Sequence, residues 1–280
     1  MSGAKKFWLI AGSALVIIGF LMFGGIMTVL GWDFTKISTS KFKTNAYDIS
    51  EEYKNIQIYT ETASVVFLPS QDAKTSVVIY EQTNVEHSVE VKDGILSIKM
   101  IDMRKWYQHI GTNLSSPKIT VYLPSEEYGA LSVECTTGDI SLEGVMADNI
   151  ELSLSTGKIS LSAIRCNELK FNVSTGRSVL DDVQCKALFS EGTTGNVSLN
   201  SVIVEENLSI KRTTGSIEFL NCDAGELFIK TTTGDVKGCL LTEKIFITHT
   251  STGQINLPPT RGGGKCEITT STGNITVELK

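Results

Sequence analysis

The chain has 280 residues, enough for one or two domains, and a formal net charge of -6. A negative balance of this size argues against a broad nucleic-acid surface. Glycine is frequent, with 24 residues, and proline is scarce, with five. These totals exclude few other classes of function.

The N-terminus carries a long apolar segment. Residues 7–32 contain no charged side chain across 26 positions, enough to span a hydrocarbon core of about 30 Å. A signal peptide has a shorter apolar region and a small-x-small cleavage site, which "GGIMTVLGWDF" lacks. We therefore predict an uncleaved, single-pass transmembrane anchor at 7–32, with Trp8 and Trp32 at the two membrane interfaces.

The charges beside this segment indicate its orientation. Lys5 and Lys6 precede it and Asp33 follows it, which favours a cytoplasmic N-terminus at residues 1–6. Three further lysines within about 15 residues of its end favour the opposite orientation. We expect the chain to lie in the cell membrane with its C-terminal part outside the cytoplasm.

A linker and a strand-rich region follow the anchor. Residues 33–44 are polar and without periodicity, which is typical of a linker. Residues 45–130 contain short alternating segments such as "NIQIYTE" and "KITVYLP", which predict β-strands. A longer loop interrupts them and carries Trp106 and Tyr107, the exposed aromatic candidates for ligand or partner contact. Packing of these two side chains against the first coils is the alternative.

A repeat occupies residues 131–280. One turn, [ST]-T-G, occurs eight times at intervals of 19 or 20 residues. Its glycines are Gly138, Gly157, Gly176, Gly195, Gly215, Gly234, Gly253 and Gly273, and its threonines are Thr137, Thr156, Thr175, Thr194, Thr214, Thr233, Thr252 and Thr272. A fixed period of this length predicts a solenoid in which each unit stacks on its neighbours.

The pattern inside one repeat specifies the kind of solenoid. After Gly157, apolar residues alternate with polar ones over two short segments separated by a turn, which predicts two strands per coil with one buried face each. We therefore predict an all-β fold: a single-stranded β-solenoid of about eight 19–20-residue coils, preceded by a β-strand region and one N-terminal transmembrane helix.

The repeated turn is interpreted as a structural corner. The residue after the glycine varies, and Lys158 and Arg177 occupy it in adjacent coils. A calcium site needs several oxygen ligands, including carboxylates, at fixed positions. A phosphate site needs a helix N-terminus or a following Lys-Ser/Thr, which is missing. Glycine allows positive φ at a tight corner, and stacked Ser/Thr hydroxyls can bond the turn backbone.

Few residues suggest catalysis or metal binding. His87, His109 and His249 lie in unrelated contexts, and no zinc-protease, nucleophile-elbow or Cys-x-x-Cys motif occurs. We predict no catalytic residues, no metal site and no cofactor. Cys166 and Cys185 occupy an inward position that alanine takes in other coils, so they are predicted to be buried thiols, with a disulfide as the alternative.

Recognisable segments accompany this repeat. An N-terminal anchor, "RKWY", "ITVYLPSEEY" and serial "TTGD" or "STGN" coils resemble the bacterial putative-adhesin β-strand-repeat family, which is related to the toast-rack domains of envelope-stress systems. The resemblance covers about residues 47–280. It implies a non-enzymatic, envelope-associated β-solenoid.

Three functional hypotheses follow. The first is a membrane-anchored, extracytoplasmic interaction or envelope-sensing scaffold whose partner is an envelope protein or polysaccharide. The second is a protein that binds or processes cell-wall carbohydrate. The third is self-association, because open solenoid ends expose unpaired strand edges and "STGNITVELK" ends the chain as a regular coil.

Overall fold

The computed structural model describes residues 3–32, 41–104 and 116–280. Contacts divide the chain into two units: one holds the N-terminal helix, and the other spans Phe42–Met103 and Ser116–Lys280.

Helix α1 covers Gly3–Val29. Its segment Lys5–Val29 has a mean hydropathy of 2.3 and buries none of its most apolar stretch against protein. This length and composition suffice to cross a membrane, a property that membrane anchors share with signal sequences.

The second unit is built entirely from strands and their connections within the described residues. Its strands are β1 (Phe42–Ile49), β2 (Asn55–Thr60), β3 (Ser64–Pro69), β4 (Thr75–Gln82), β5 (Val85–Lys92), β6 (Ile95–Asp102), β7 (Lys118–Leu123), β8 (Glu127–Thr137), β9 (Ile140–Glu143), β10 (Met146–Thr156), β11 (Ile159–Thr175), β12 (Ser178–Thr194), β13 (Val197–Thr214), β14 (Ile217–Thr233), β15 (Val236–Leu240), β16 (Lys244–Thr252), β17 (Ile255–Asn256), β18 (Gly264–Thr272) and β19 (Ile275–Leu279).

The predicted β-solenoid is confirmed, with about eight turns. Strands β8, β10, β11, β12, β13 and β14 stack in parallel and in register, so equivalent residues of successive coils lie side by side. Leu169, Leu188 and Leu208 form one such column, and all three are at most 1% exposed. Each 19- or 20-residue period therefore adds one rung to a continuous apolar core.

Each long strand bends at a second corner that lacks glycine. Ala163, Asp182, Ser201 and Asn221 have φ between +50° and +53° and lie 19 or 20 residues apart. Asp, Asn and Ser are small polar residues, and Asp and Asn tolerate this left-handed conformation better than most. These corners turn what the sequence predicts as two short strands into one bent strand per coil.

The N-terminal strands add one coil to the parallel stack, and antiparallel strands follow it. Strand β2 pairs in parallel with β8, and β3 pairs in parallel with β9, so they form a further coil. Beyond it, β7–β4–β1 and β6–β5 are joined by antiparallel pairings. Ala63 lies beside Gly138 in this coil, at the corner where later coils carry [ST]-T-G.

The last two coils do not stack in chain order. Strand β14 pairs with β18, and β16 pairs with the other side of β18. In the same way, β15 pairs with β19, and β17 pairs with the other side of β19. The C-terminal coil is therefore not at the open end of the stack: the preceding coil, β16–β17, is outermost.

The burial of side chains follows this order. Cys266 and Ile268 of β18 are fully buried, whereas their register partners in β16, Phe246 and Thr248, are half-buried. Ile255 in the outer coil consequently remains 44% exposed.

One arginine interrupts the apolar interior. Arg212 is 5% exposed, and its guanidinium donates to the carbonyl oxygen of Lys211 (2.7 Å) and to Oγ of Ser190 (2.8 Å). Neither acceptor is a carboxylate. Its Cζ lies against Gly192, where an added Cβ would come within 3.1 Å of it. Burial lowers the pKa of this guanidinium to about 10, a desolvation cost of about 3 kcal/mol.

We expect Arg212→Met to raise the free energy of unfolding by roughly 1–3 kcal/mol, because an apolar side chain of similar length avoids that desolvation. Urea titration of the purified full-length chain in detergent measures it. Lys211→Met, at the exposed neighbouring position, is the control and should change stability by less than about 1 kcal/mol. A loss of stability in Arg212→Met would contradict the prediction.

Candidate functional site: an apolar groove on the solenoid face

The [ST]-T-G turns lie at the corners of the coils. All eight glycines have φ between +135° and +156°. The N–H groups of all of them except Gly253, which lies in the outermost coil, continue the ladder across the corner, as where Gly157 donates to the carbonyl oxygen of Thr175 at 3.0 Å. The threonines before these glycines are exposed at every corner.

Residues that follow the glycines form a second ladder. Oδ1 of Asp139 accepts from the backbone N–H of Lys158 (2.8 Å), and Oδ1 of Asp235 accepts from that of Asn274 (2.8 Å). Oδ1 of Asn196 accepts from Ser216 in the same way (2.9 Å). Carboxylate and amide oxygens thus accept the same hydrogen bond from the backbone of the neighbouring coil. Across the described ranges, no three His, Cys, Asp or Glu side chains form a group that could hold a metal ion.

A buried hydrogen-bonded chain joins the N-terminal strands. Nδ1 of His87 lies 2.8 Å from Oε2 of Glu81, and Nε2 lies 3.2 Å from Oγ1 of Thr60. Nδ2 of Asn45 donates to Oε1 of Glu81 at 2.6 Å. Hydroxyl, imidazole and carboxylate follow one another as in a nucleophile triad. However, the side chains of His87 and Glu81 are 1% exposed and Thr60 is 1% exposed, so a substrate has no access.

The sequence prediction missed this cluster. It assigned His87 no partners. However, the alternation of buried and exposed positions along the strands identifies two members of the cluster, Glu81 and His87, as buried. In "TSVVIYEQ" the buried alternation Thr75, Val77, Ile79 continues to Glu81. His87 falls on the buried phase of its own strand. Two polar residues that point into a core are expected to pair.

A groove of about 730 Å³ lies on the outer face of the strand segments that follow the [ST]-T-G corners. Strands β12, β13, β14, β15 and β19 supply its walls. Leu220, 54% exposed, lies within it, with Val179 and the half-buried Cys239 as further apolar contacts. This volume is within the range of ligand-binding clefts, about 300–1,000 Å³.

Local irregularity creates the groove. Asp181, Asn200 and Leu220 are register partners in successive coils, so Leu220 is an apolar residue in a polar column. The pairing of β14 with β15 shifts register between Phe219 and Cys222, which leaves Leu220 without a register partner in β15. Gly238 sits against the Phe219 ring, where an added Cβ would come within 1.7 Å of Cε2. The neighbouring coil therefore cannot cover Leu220.

The charges around the groove are mostly negative. Asp181, Glu218 and Glu278 contribute carboxylates, and Lys237 contributes one ammonium group. Asp181 also accepts a hydrogen bond from Nδ2 of Asn200. An apolar floor with an acidic rim favours a ligand group that is apolar and flanked by positive charge.

The aromatic residues predicted to contact a ligand, Trp106 and Tyr107, lie outside the described residues. Two tyrosines on the N-terminal strands are more than a third exposed, Tyr59 and Tyr80. Tyr80 stacks on Phe42, with ring centroids 4.9 Å apart. Neither tyrosine lines the groove.

The fold is similar to several solved structures. A putative adhesin from Bacteroides fragilis shares 16% sequence identity at a TM-score of 0.49, over 86% of this chain and 97% of that chain. A putative lipid binding protein from Parabacteroides distasonis shares 16% identity at a TM-score of 0.45, over 85% and 98%. A putative cell adhesion protein from Clostridium sporogenes shares 13% identity at a TM-score of 0.33, over 86% and 100%.

No curated protein matches the sequence. A family model does: the model described as Toastrack DUF4097 matches residues 53–280, which include the strand-rich N-terminal coil and every [ST]-T-G corner. The chain belongs to the Toastrack DUF4097 family.

Proposed function

We propose that the chain is a non-enzymatic interaction scaffold, anchored in the membrane by its N-terminal helix, whose solenoid binds an envelope protein outside the cytoplasm. In this arrangement residues 1–6 are cytoplasmic, 7–32 form the anchor and 33–44 the linker, whose last three residues, 42–44, already belong to β1. Residues 45–130 and 131–280 form the extracytoplasmic body. The observation that carries the proposal is the exposed apolar groove around Leu220.

The anchor is supported by the exposed apolar surface of α1. Apart from the buried Met27, its large apolar side chains from Phe7 to Val29 are 48–88% exposed, an apolar surface that a bilayer would cover. The uncharged stretch also exceeds the apolar region of a typical signal peptide. An uncleaved anchor keeps the solenoid at the membrane surface.

The side chains that line the groove indicate which chemical groups a partner would need in order to bind there. Leu220 and Val179 offer aliphatic contact, and three carboxylates outnumber one ammonium at the rim. The complementary group is a protein segment with an apolar side chain between lysine or arginine residues. The carbohydrate alternative receives less support, because sugar recognition commonly uses aromatic faces and no aromatic side chain is exposed in the groove.

The proposal is non-enzymatic because the triad-like arrangement found among the described residues is sealed in the core. The four charged groups at the groove rim lie on an open face without a paired nucleophile and base.

A photo-reactive residue at position 220 of the full-length chain in intact cells tests the proposal. We expect it to cross-link one envelope protein, whereas the same residue at position 162 should not. Ser162 is the matched control because it lies in the same outward column, three coils or about 14 Å away.

Affinity then provides the quantitative check. With the captured partner purified, Leu220→Ser should weaken binding at least about tenfold, as loss of a central apolar contact does, while Ser162→Ala should leave it unchanged. Equal cross-linking at both positions, or an unchanged Kd for Leu220→Ser, would remove the groove from the proposal.

A further inference from the structure

Cys166 and Cys185 occupy neighbouring rungs of one column. They are register partners in the parallel strands β11 and β12. In-register neighbours lie about 4.8 Å apart, within the Cα separation of about 4.4–6.8 Å that a disulfide tolerates. The neighbouring Cys166 thiol raises the pKa of the Cys185 thiol above its ordinary value. All six cysteines are thiols in this structure.

The two members of this pair differ in access. Cys185 is 4% exposed, whereas Cys166 is half-buried. A cavity of about 180 Å³ is lined by both cysteines, and a second cavity of about 390 Å³ reaches Cys166 without Cys185. The basic side chains Arg165 and Lys186 also line the first cavity. A small oxidant can therefore reach Cys166 first.

The remaining cysteines lack this arrangement. Burial raises the pKa of the thiols of Cys135 and Cys222 to about 11 and that of Cys266 to about 12, and none of the register partners of these three residues is a cysteine. Cys239 is near Cys222, but the register partner of Cys222 is Leu240. Strand alternation then directs Cys239 to the opposite face.

We propose that Cys166 and Cys185 are a reversible dithiol–disulfide site, in which Cys166 is the attacking residue and Cys185 the resolving residue. This assignment is independent of the groove and its partner. Closure would covalently join two adjacent coils that are otherwise held by hydrogen bonds and packing.

The reaction is thiol–disulfide exchange with a small disulfide such as oxidised glutathione. The Cys166 thiol loses its proton and attacks one sulfur of glutathione disulfide; that S–S bond breaks, and one glutathione leaves as a thiol after taking a proton. The Cys185 thiol then attacks Sγ of Cys166 and releases the second glutathione. Two protein thiols are oxidised to one disulfide, and one glutathione disulfide is reduced to two thiols.

Equilibration of the full-length protein with glutathione buffers of increasing oxidised fraction tests the proposal. After alkylation of free thiols, peptide mass mapping without reduction should show one bridge, 166–185, and dithiothreitol should reopen it. In Cys185→Ser, Cys166 should retain a stable glutathione adduct. In Cys166→Ser, Cys185 should be alkylated slowly and carry little glutathione.

The Cys222–Cys239 pair is the internal control and should remain unbridged throughout. Free, alkylated Cys166 and Cys185 in the fully oxidised buffer would overturn the proposal, as would a glutathione adduct at Cys166 that persists in the wild type. Because circular dichroism of the Ser variants reports folding, a misfolded variant is separated from an unreactive one, and the wild-type bridge decides the outcome by itself.

Discussion

Replacing Gly195 with alanine should lower the free energy of unfolding by at least about 3 kcal/mol, because two separate penalties act at one position. Gly195 has φ of +135°, which L side chains rarely adopt. An added Cβ would also lie 1.6 Å from the carbonyl oxygen of Gly176 and 2.5 Å from its carbonyl carbon. Both atoms are backbone of the neighbouring coil, so the coils themselves must separate.

Substitutions at two other glycines measure the backbone-strain penalty separately from the steric penalty. Gly94 has φ of +73° but nothing within 4 Å of an added Cβ, so Gly94→Ala should cost only the backbone strain, about 1–2 kcal/mol. Gly262 meets nothing within 4 Å and has no positive φ, so Gly262→Ala should change stability by less than about 0.5 kcal/mol. Urea unfolding of the full-length variants gives all three values. Equal losses at Gly94 and Gly195 would show that close coil packing does not matter at the corner.

Asp235→Asn completes the comparison at the corner. Its Oδ1 accepts from the backbone N–H of Asn274, and an amide oxygen can replace it, as Asn196 shows two coils earlier. We expect a change below about 0.5 kcal/mol and the same melting temperature with calcium or with a chelator. Stabilisation by calcium would instead indicate that the carboxylate binds a cation.

The coils were predictable because one physical requirement recurs at a fixed interval. A glycine every 19 or 20 residues, with alternating apolar residues between, leaves few arrangements besides a stacked solenoid. The coil formed by β2 and β3 escaped this pattern, because Ala63 stands at its corner in place of glycine. The left-handed second corners also escaped it, because Ala163 and Ser201 carry no sequence signal for positive φ.

The groove and the coil order depend on differences between repeats. The periodic pattern describes only what the repeats share, so it does not predict these two features. Leu220 is recognisable as unusual only once its register partners Asn200 and Asp181 are known. The reversed order of the last two coils arises from competition between two similar repeats for one interior position. Both carry an S-T-G corner, at 251–253 and 271–273, so the local pattern does not choose between them.

The ion pair between Lys244 and Asp223 spans this reversal. Nζ of Lys244 lies 2.6 Å from Oδ1 of Asp223 and donates to Oγ1 of Thr242 at 2.6 Å. Lys244 belongs to the outer coil and Asp223 to β14, and β18 lies between β16 and β14 in the sheet. The two side chains are only 5% and 18% exposed, so solvent screens the pair weakly. It therefore fastens the outer coil to β14 across the inserted strand.

Lys244→Met should consequently lower the free energy of unfolding by about 3 kcal/mol, because the Asp223 carboxylate keeps a poorly solvated site and loses its counter-ion. Asp223→Asn in the same background should recover part of the loss, since it removes the uncompensated charge. Lys211→Met breaks the exposed pair with Glu191, whose side chains are 51% and 66% exposed, and should cost less than about 1 kcal/mol. A similar loss for Lys244→Met and Lys211→Met would contradict a role for burial.

Engineered disulfides test the coil order itself. Lys230 and Thr269 are register partners in β14 and β18, so the double variant Lys230→Cys/Thr269→Cys should form a bridge under mild oxidation. Thr269 is also the partner of His249, which places Lys230 and His249 two strand spacings, about 9.6 Å, apart. Lys230→Cys/His249→Cys should therefore remain reduced, whereas stacking in chain order would make these two residues neighbours. If Lys244 holds the reversed order, its replacement by methionine should slow the 230–269 bridge and allow the 230–249 bridge to appear.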